Sequence, residues 1–166
     1  QVKPGVRQAM EGTLIDTANT LAELAADDML AGHIGDGRFA QRLRAVPSRK
    51  VGADVSGIAK DSSDFRITVT DARGIVVFDS EGRDLGRDNS RWNDVYRTLR
   101  GQYGARSTRS DPDDPDSTVM HVAAPIRDGN DVIGVLTVAK PNASVQAFVE
   151  RSQRKILQRG AVLLLL

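Results

Sequence analysis

The chain has 166 residues, 40% of them hydrophobic and 27% charged, with a formal net charge of +1. That is enough apolar material for one buried core in one domain, and the near balance of charge excludes the basic footprint of a nucleic-acid binder. With no cysteine and only two histidines, His33 and His121, disulfide frameworks, thiolate zinc sites and thiol nucleophiles are excluded as well.

Apolar residues recur at helical spacing from Pro4 to about Leu30, at Met10, Leu14, Ala18, Leu21 and Ala25, with Ile15 and Leu24 widening the stripe. This predicts a long amphipathic helix, opened by Pro4 and stopped by the cluster Gly32, Gly35 and Gly37. A short helix is expected from Phe39 to about Val46, and the stretch around Gly52 and Gly57 reads as irregular or edge structure. Phe65, Ile67 and Val69 then alternate with Arg66, Thr68 and Thr70, the pattern of a half-buried antiparallel strand. Asp71-Ala72-Arg73-Gly74 is its turn, and Ile75 to Phe78 the returning strand.

After a polar loop from Asp79 to Asn89, Ser90 is the expected N-cap of a helix carrying Trp92, Val95, Tyr96 and Leu99 on one face, ended by Gly101. Strands are expected at Gly104–Ser110, Thr118–Ile126 and Val132–Val138, with Asp128-Gly129-Asn130 the strongest hairpin signal in the chain. Asn142 or Ser144 can cap a final helix bearing Val145, Phe148, Val149 and Ile156. It runs toward Ala161–Leu166, which has the composition of a membrane span but not the roughly 20 residues one needs. Arg151, Arg154, Lys155 and Arg159 precede that run, although basic flanks usually mark the cytoplasmic side. The order describes an α+β fold: an antiparallel sheet of about five strands, a middle helix packed on it, and two terminal helices.

Several segments carry a family resemblance: Val2-Lys3-Pro4-Gly5-Val6-Arg7, Glu11-Gly12-Thr13-Leu14-Ile15-Asp16-Thr17-Ala18, Ser90-Arg91-Trp92-Asn93-Asp94-Val95, Thr98 to Thr108, Ala123-Ala124-Pro125-Ile126 and Ile133-Gly134-Val135-Leu136. On these the chain resembles the CreC-type sensor histidine kinases, in the segment between their two transmembrane helices. The region from about Gly32 to Ser63 carries little of it. The resemblance implies a PAS-like single-Cache sensor domain over residues 1–160, on the periplasmic side of the inner membrane. Within it lie a long helix at about 4–31, the sheet and middle helix at about 51–140, and an exit helix at about 142–160. Residues 161–166 would begin a truncated transmembrane helix. It further implies a two-component phosphorelay, with a phosphoacceptor histidine, ATP with Mg2+ and a cognate response regulator all belonging to a cytoplasmic part outside this segment. No cofactor and no catalytic residue are expected here. Leu14, Ala18 and Leu21 suggest a parallel homodimer through the first helix, or simply packing on the sheet.

The candidate ligand-binding residues are His121, Arg106, Arg91, Ser107 and Lys140. Arg91 beside Trp92 at the helix start, with Arg106, Ser107 and Thr108 on the next strand, offers guanidinium and hydroxyl donors for a small anion. Equally, Trp92 can be core and Arg106 a partner for a carboxylate. Lys140, beside Pro141, can close the same pocket or cap helix carbonyls. His121 stands on a strand where related carboxylate-binding Cache sensors carry an arginine, a departure that weakens the expectation of an organic acid. No metal-ligand spacing is present, and the loop Asp111 to Asp116, although rich in carboxylates, lacks the glycine and closing glutamate of an EF-hand. Three functions compete: kinase signal input, a Cache domain of another receptor class such as a chemoreceptor or cyclic-dinucleotide enzyme, and a protein-binding envelope adaptor.

Overall fold

The computed structural model describes residues 4–55, 58–60 and 64–141. The expected exit helix and apolar tail lie outside the described residues. Helix α1 spans Pro4–Leu30 and α2 spans Arg38–Ala45, followed by a 3-10 turn at Val46–Ser48. The stretch expected to be irregular or edge structure holds two short strands, β1 (Ala53–Val55) and β2 (Ile58–Lys60), paired antiparallel. The main sheet follows as β3 (Arg66–Asp71), β4 (Val76–Asp79), β5 (Gly104–Arg109), β6 (Thr118–Asp128) and β7 (Asp131–Pro141), with α3 (Asn93–Leu99) between β4 and β5.

All five strands are antiparallel, in the order β4-β3-β7-β6-β5. This is the expected α+β arrangement, an antiparallel sheet of five strands with a middle helix packed on it. Alternation along each strand then sorts side chains to two faces. On one face Ile67, Val69, Phe78, Met120, Val122, Ala124, Ile126, Leu136 and Val138 form the core with Leu14, Ala18, Ala22 and Ala25 of α1. The expected stripe is observed, with Met10, Ile15 and Leu21 partly buried against this core and Ala22 added to it, whereas Leu24, expected to widen the stripe, is 65% exposed. Leu14 and Ala18 are consumed by the chain's own sheet, so the stripe proposed for dimer contact is not available to a second copy.

The second face is covered by α3 and the loop ahead of it, which is why Thr70, expected on a solvated face, is 2% exposed. Val95 of α3 packs there on Ala123 and Val135. The helix begins later than expected: Trp92 is its N-cap, without a side-chain cap, and Ser90 lies against the turn glycine Gly74. Tyr96, expected on the buried face, is exposed.

Two glycines make opposite predictions. A Cβ at Gly104 would meet the Asp94 carbonyl oxygen at 2.1 Å and Thr98 Oγ1 at 2.4 Å, whereas one at Gly12, on α1, meets nothing within 4 Å. Gly104→Ala is expected to cost about 2 kcal/mol or more by pushing α3 off the sheet. Gly12→Ala is expected to stabilise by up to about 1 kcal/mol through helix propensity. Urea titrations of the two variants check both signs.

Candidate functional site

Strand register assembles the covered face in rows. Across β5, β6, β7 and β3, the paired positions Arg106, His121, Ala139 and Arg66 stand abreast. One row below come Thr108, Val119 and Pro141, and one row above come Gly104, Ala123, Thr137, Thr68 and, on β4, Asp79. A cavity of about 290 Å³ opens on the two lower rows, lined by Thr108, Val119, His121, Ala139, Pro141 and Arg66, with Glu81 and Arg83 at its rim.

Two guanidiniums lie in this layer, and each is met by carboxylates. Arg66 donates through Nε to Asp79 Oδ1 at 3.1 Å and through Nη2 to Asp79 Oδ2, and that Nη2 also lies 3.0 Å from Asp84 Oδ2. Asp79 in turn accepts from the backbone N–H groups of Glu81 and Asp84, each at 2.9 Å, so the β4–α3 loop is wound around one ion pair. Burial alone would raise the Asp79 carboxyl, but the Arg66 bond and those two N–H groups hold it below the usual carboxylate range.

Arg106 is arranged differently. Its Nε donates to Asp94 Oδ1 at 2.7 Å, and its guanidinium lies over the Trp92 ring, 3.9 Å from the centroid. The other Asp94 oxygen accepts from Thr137 Oγ1 of β7 at 3.2 Å. Asp94 thus ties α3 to an edge strand and a central strand at once. Arg106 Nη1 is buried and finds no acceptor among the described residues. Burial lowers the Arg106 guanidinium below its ordinary range against the opposing pull of Asp94.

His121, 8% exposed, is hydrogen-bonded through Nε2 to Thr108 Oγ1 at 2.9 Å. Burial first, then the Arg106 charge, pushes its imidazole down to about 4, so the ring is neutral near pH 7. The cavity therefore offers a neutral imidazole and a hydroxyl beside the carboxylate-held Arg66, with Arg109 and Asp64 also in its wall, while Arg106 stands next to it as the cross-strand partner of His121 and is not in its lining.

Of the five candidate residues, the structure brings together His121 and Arg106. Ser107 alternates to the opposite face, where it pairs with the core residue Met120. Lys140 shares that row, pairing with Met120 and lying over Phe65; it reaches the cavity only through its ion pair with Asp64, which lines the wall, and is not itself in the lining. Arg91 is exposed on the loop ahead of α3, apart from the Arg106 cluster. The sequence reading missed Asp94, Asp79, Thr137 and Arg66. Arg66 had a signal, its place on the polar side of an alternating strand. In the loop Asp111 to Asp116 two of the four carboxylates bond its own backbone, Asp111 and Asp114 accepting from the N–H groups of Asp113 and Asp116. Among the described residues no cluster of three histidine or carboxylate side chains is placed to hold a metal, and no helix is long and apolar enough to cross a membrane.

No family model matches the chain. It is 54% identical over 164 residues to the sensor protein CreC of Escherichia coli (strain K12), a match covering 99% of this chain. The chain spans 35% of the length of that curated relative. Among solved structures it is similar to the sensor domain of Escherichia coli DcuS, at 18% identity and a TM-score of 0.37, over 83% of this chain and 98% of that one. The resemblance to the CreC-type sensor kinases is thus borne out along nearly the whole chain.

The His121 environment sets a pH dependence. Its ordinary value is 6.5 and its folded value about 4, so between these limits the unfolded chain binds a proton that the folded site refuses. This contribution is complete above pH 6.5 and is lost as pH falls toward 4. His121→Gln, which does not titrate, is expected to flatten that part of the stability profile by roughly 2 to 3 kcal/mol between neutral pH and about pH 4. Urea titrations across the window check it, and an unchanged slope would contradict the buried, neutral assignment.

Proposed function

We propose that this chain, a CreC-type sensor domain by its match to CreC, is the signal-input domain of a transmembrane histidine kinase, placed on the periplasmic side of the inner membrane. The match along nearly the whole chain is the observation that carries this reading. The kinase reaction, its ATP and Mg2+, and the response regulator that receives the phosphoryl group belong to the cytoplasmic part of such a receptor. The domain contributes regulation.

The fold supports a route for that regulation. The cavity is floored by Ala139 and Pro141 at the end of β7, the last described element before the chain continues toward its exit segment. A small molecule or ion seated against His121 and Thr108 therefore touches the strand that leads out of the domain. Such a ligand needs only a few kcal/mol of differential affinity for two arrangements of this strand to bias the output. A homodimer through α1 would use its outward face, where Leu24 is exposed, since Leu14 and Ala18 are buried on the sheet.

A thermal-shift screen of the chain against small acids, sugars, phosphate and divalent ions tests ligand sensing. A ligand at about 100 times its Kd adds about 2.7 kcal/mol of stability, a rise of several degrees in Tm. At least one class is expected to give that rise, and His121→Ala to abolish it. If no compound moves Tm and a protein partner copurifies, the domain is an adaptor and not a ligand sensor. A methyl-accepting coiled coil in place of a kinase in the full-length protein would overturn the output.

A further inference from the structure

We propose that Asp94 is a built-in competitor for the anion site of this domain, its carboxylate occupying Arg106 in place of a small oxyanion ligand and holding α3 closed over the sheet. The inference rests on the reading of this face as a ligand site.

Three observations carry it. First, the Arg106–Asp94 pair is incomplete. A guanidinium and a carboxylate usually meet through two parallel bonds. Here Asp94 gives Arg106 one oxygen and Thr137 the other, while the buried Arg106 Nη1 has no acceptor among the described residues. Second, the neighbouring groups suit an oxyanion: His121 is the cross-strand partner of Arg106, and Thr108 Oγ1 is bonded to the His121 ring at the cavity wall. Third, the polar contacts of α3 are incomplete although the helix packs closely on Gly104: Thr98 Oγ1 is also buried without a partner among the described residues, and the Trp92 ring, rather than a polar group, covers the guanidinium.

Arg66 is a poor alternative for the ligand, because Asp79 and Asp84 already engage its Nε and Nη2 and fix the β4–α3 loop around it. Arg106, with one carboxylate oxygen and a spare donor, is the guanidinium that can exchange partners. Arg106 is not in the cavity lining but is the cross-strand partner of His121, which is, so a carboxylate or phosphate entering past His121 would take Nη1 and compete for Nε. Asp94 would then be released with α3, while Thr137 on β7 loses or rearranges its bond to the same carboxylate. Ligand occupancy is in this way converted into motion of a helix and of the strand that leads out of the domain. A competitor that keeps the binding-competent state scarce weakens apparent affinity by the same factor, so its removal tightens binding.

Trp92 is the chain's single tryptophan and lies against Arg106, so its fluorescence reads the site directly. Acetate and inorganic phosphate, as separate probes for the carboxylate and phosphate classes, are titrated into wild type, Asp94→Asn and Thr137→Val. Asp94→Asn is expected to bind the preferred anion roughly 10- to 100-fold more tightly than wild type. Thr137→Val, which loosens Asp94 without leaving Arg106 unpaired, is expected to tighten it several-fold and decides the matter if Asp94→Asn does not fold. In wild type the anion should also speed hydrogen exchange at the α3 amides, an effect absent in Asp94→Asn. Equal or weaker binding by the folded variants, with wild type binding the anion, overturns the competitor and leaves the ligand site standing. Absence of anion binding in all three overturns both.

Discussion

A guanidinium taken out of water has to be met by an anion, and on this sheet the anion is supplied by the helix packed above it. Arg106 stands on the edge strand β5, Asp94 on α3, and Thr137 on the central strand β7, so one carboxylate fixes the distance between three elements. Removing either charge alone would strand the other in a poorly solvated layer, which typically costs about 3 to 5 kcal/mol. The apolar contribution to the same interface is small by comparison, resting on Val95, Ala123, Val135 and part of Leu99. The seat of α3 is thus set largely by polar groups, and polar seats can be exchanged for other polar partners.

The opposite face of the sheet is built on another principle. There α1 lays Leu14, Ala18, Ala22 and Ala25 on a continuous apolar surface, and its small side chains bring helix and sheet close together. Tyr103, ahead of β5, adds a hydrogen bond from its hydroxyl to Glu11 of α1 at 2.6 Å. One face therefore holds a closely packed apolar layer, and the other holds buried charged groups met by carboxylates. The proposed signal input depends on this division: a ligand would move α3 and the end of β7 only against a fixed reference on the far side of the sheet.

Much of the fold was legible in the sequence because the periodicities were strong. The alternation from Phe65 to Thr70, the hairpin at Asp128 to Asn130 and the stripe of α1 all fall within a residue or two of the observed elements. The site was half legible. Arg106 and His121 are both on strands, but placing them together requires the β5–β6 register, and placing Lys140 requires the β6–β7 register. A regular hairpin through Gly129 and Asn130 would set Lys140 opposite Val119, on the His121 face. The bulge between Ile126 and Arg127 shifts the pairing by one residue and turns Lys140 to the α1 side. Ser107 was excluded by alternation alone, as the neighbour of Arg106. Asp94 left no signal, because a carboxylate in the first turn of a short helix ordinarily faces solvent, and only the arginine beneath it explains its burial.

A double-mutant cycle on Arg106→Met and Asp94→Asn, measured by urea denaturation at neutral pH, tests most directly whether this ion pair seats α3. Coupled residues in contact show interaction energies of about 0.5 to 3 kcal/mol. The account predicts a value near the top of that range, with the double variant less destabilised than the sum of the two single variants. Additivity of the single effects to within about 0.5 kcal/mol would contradict it.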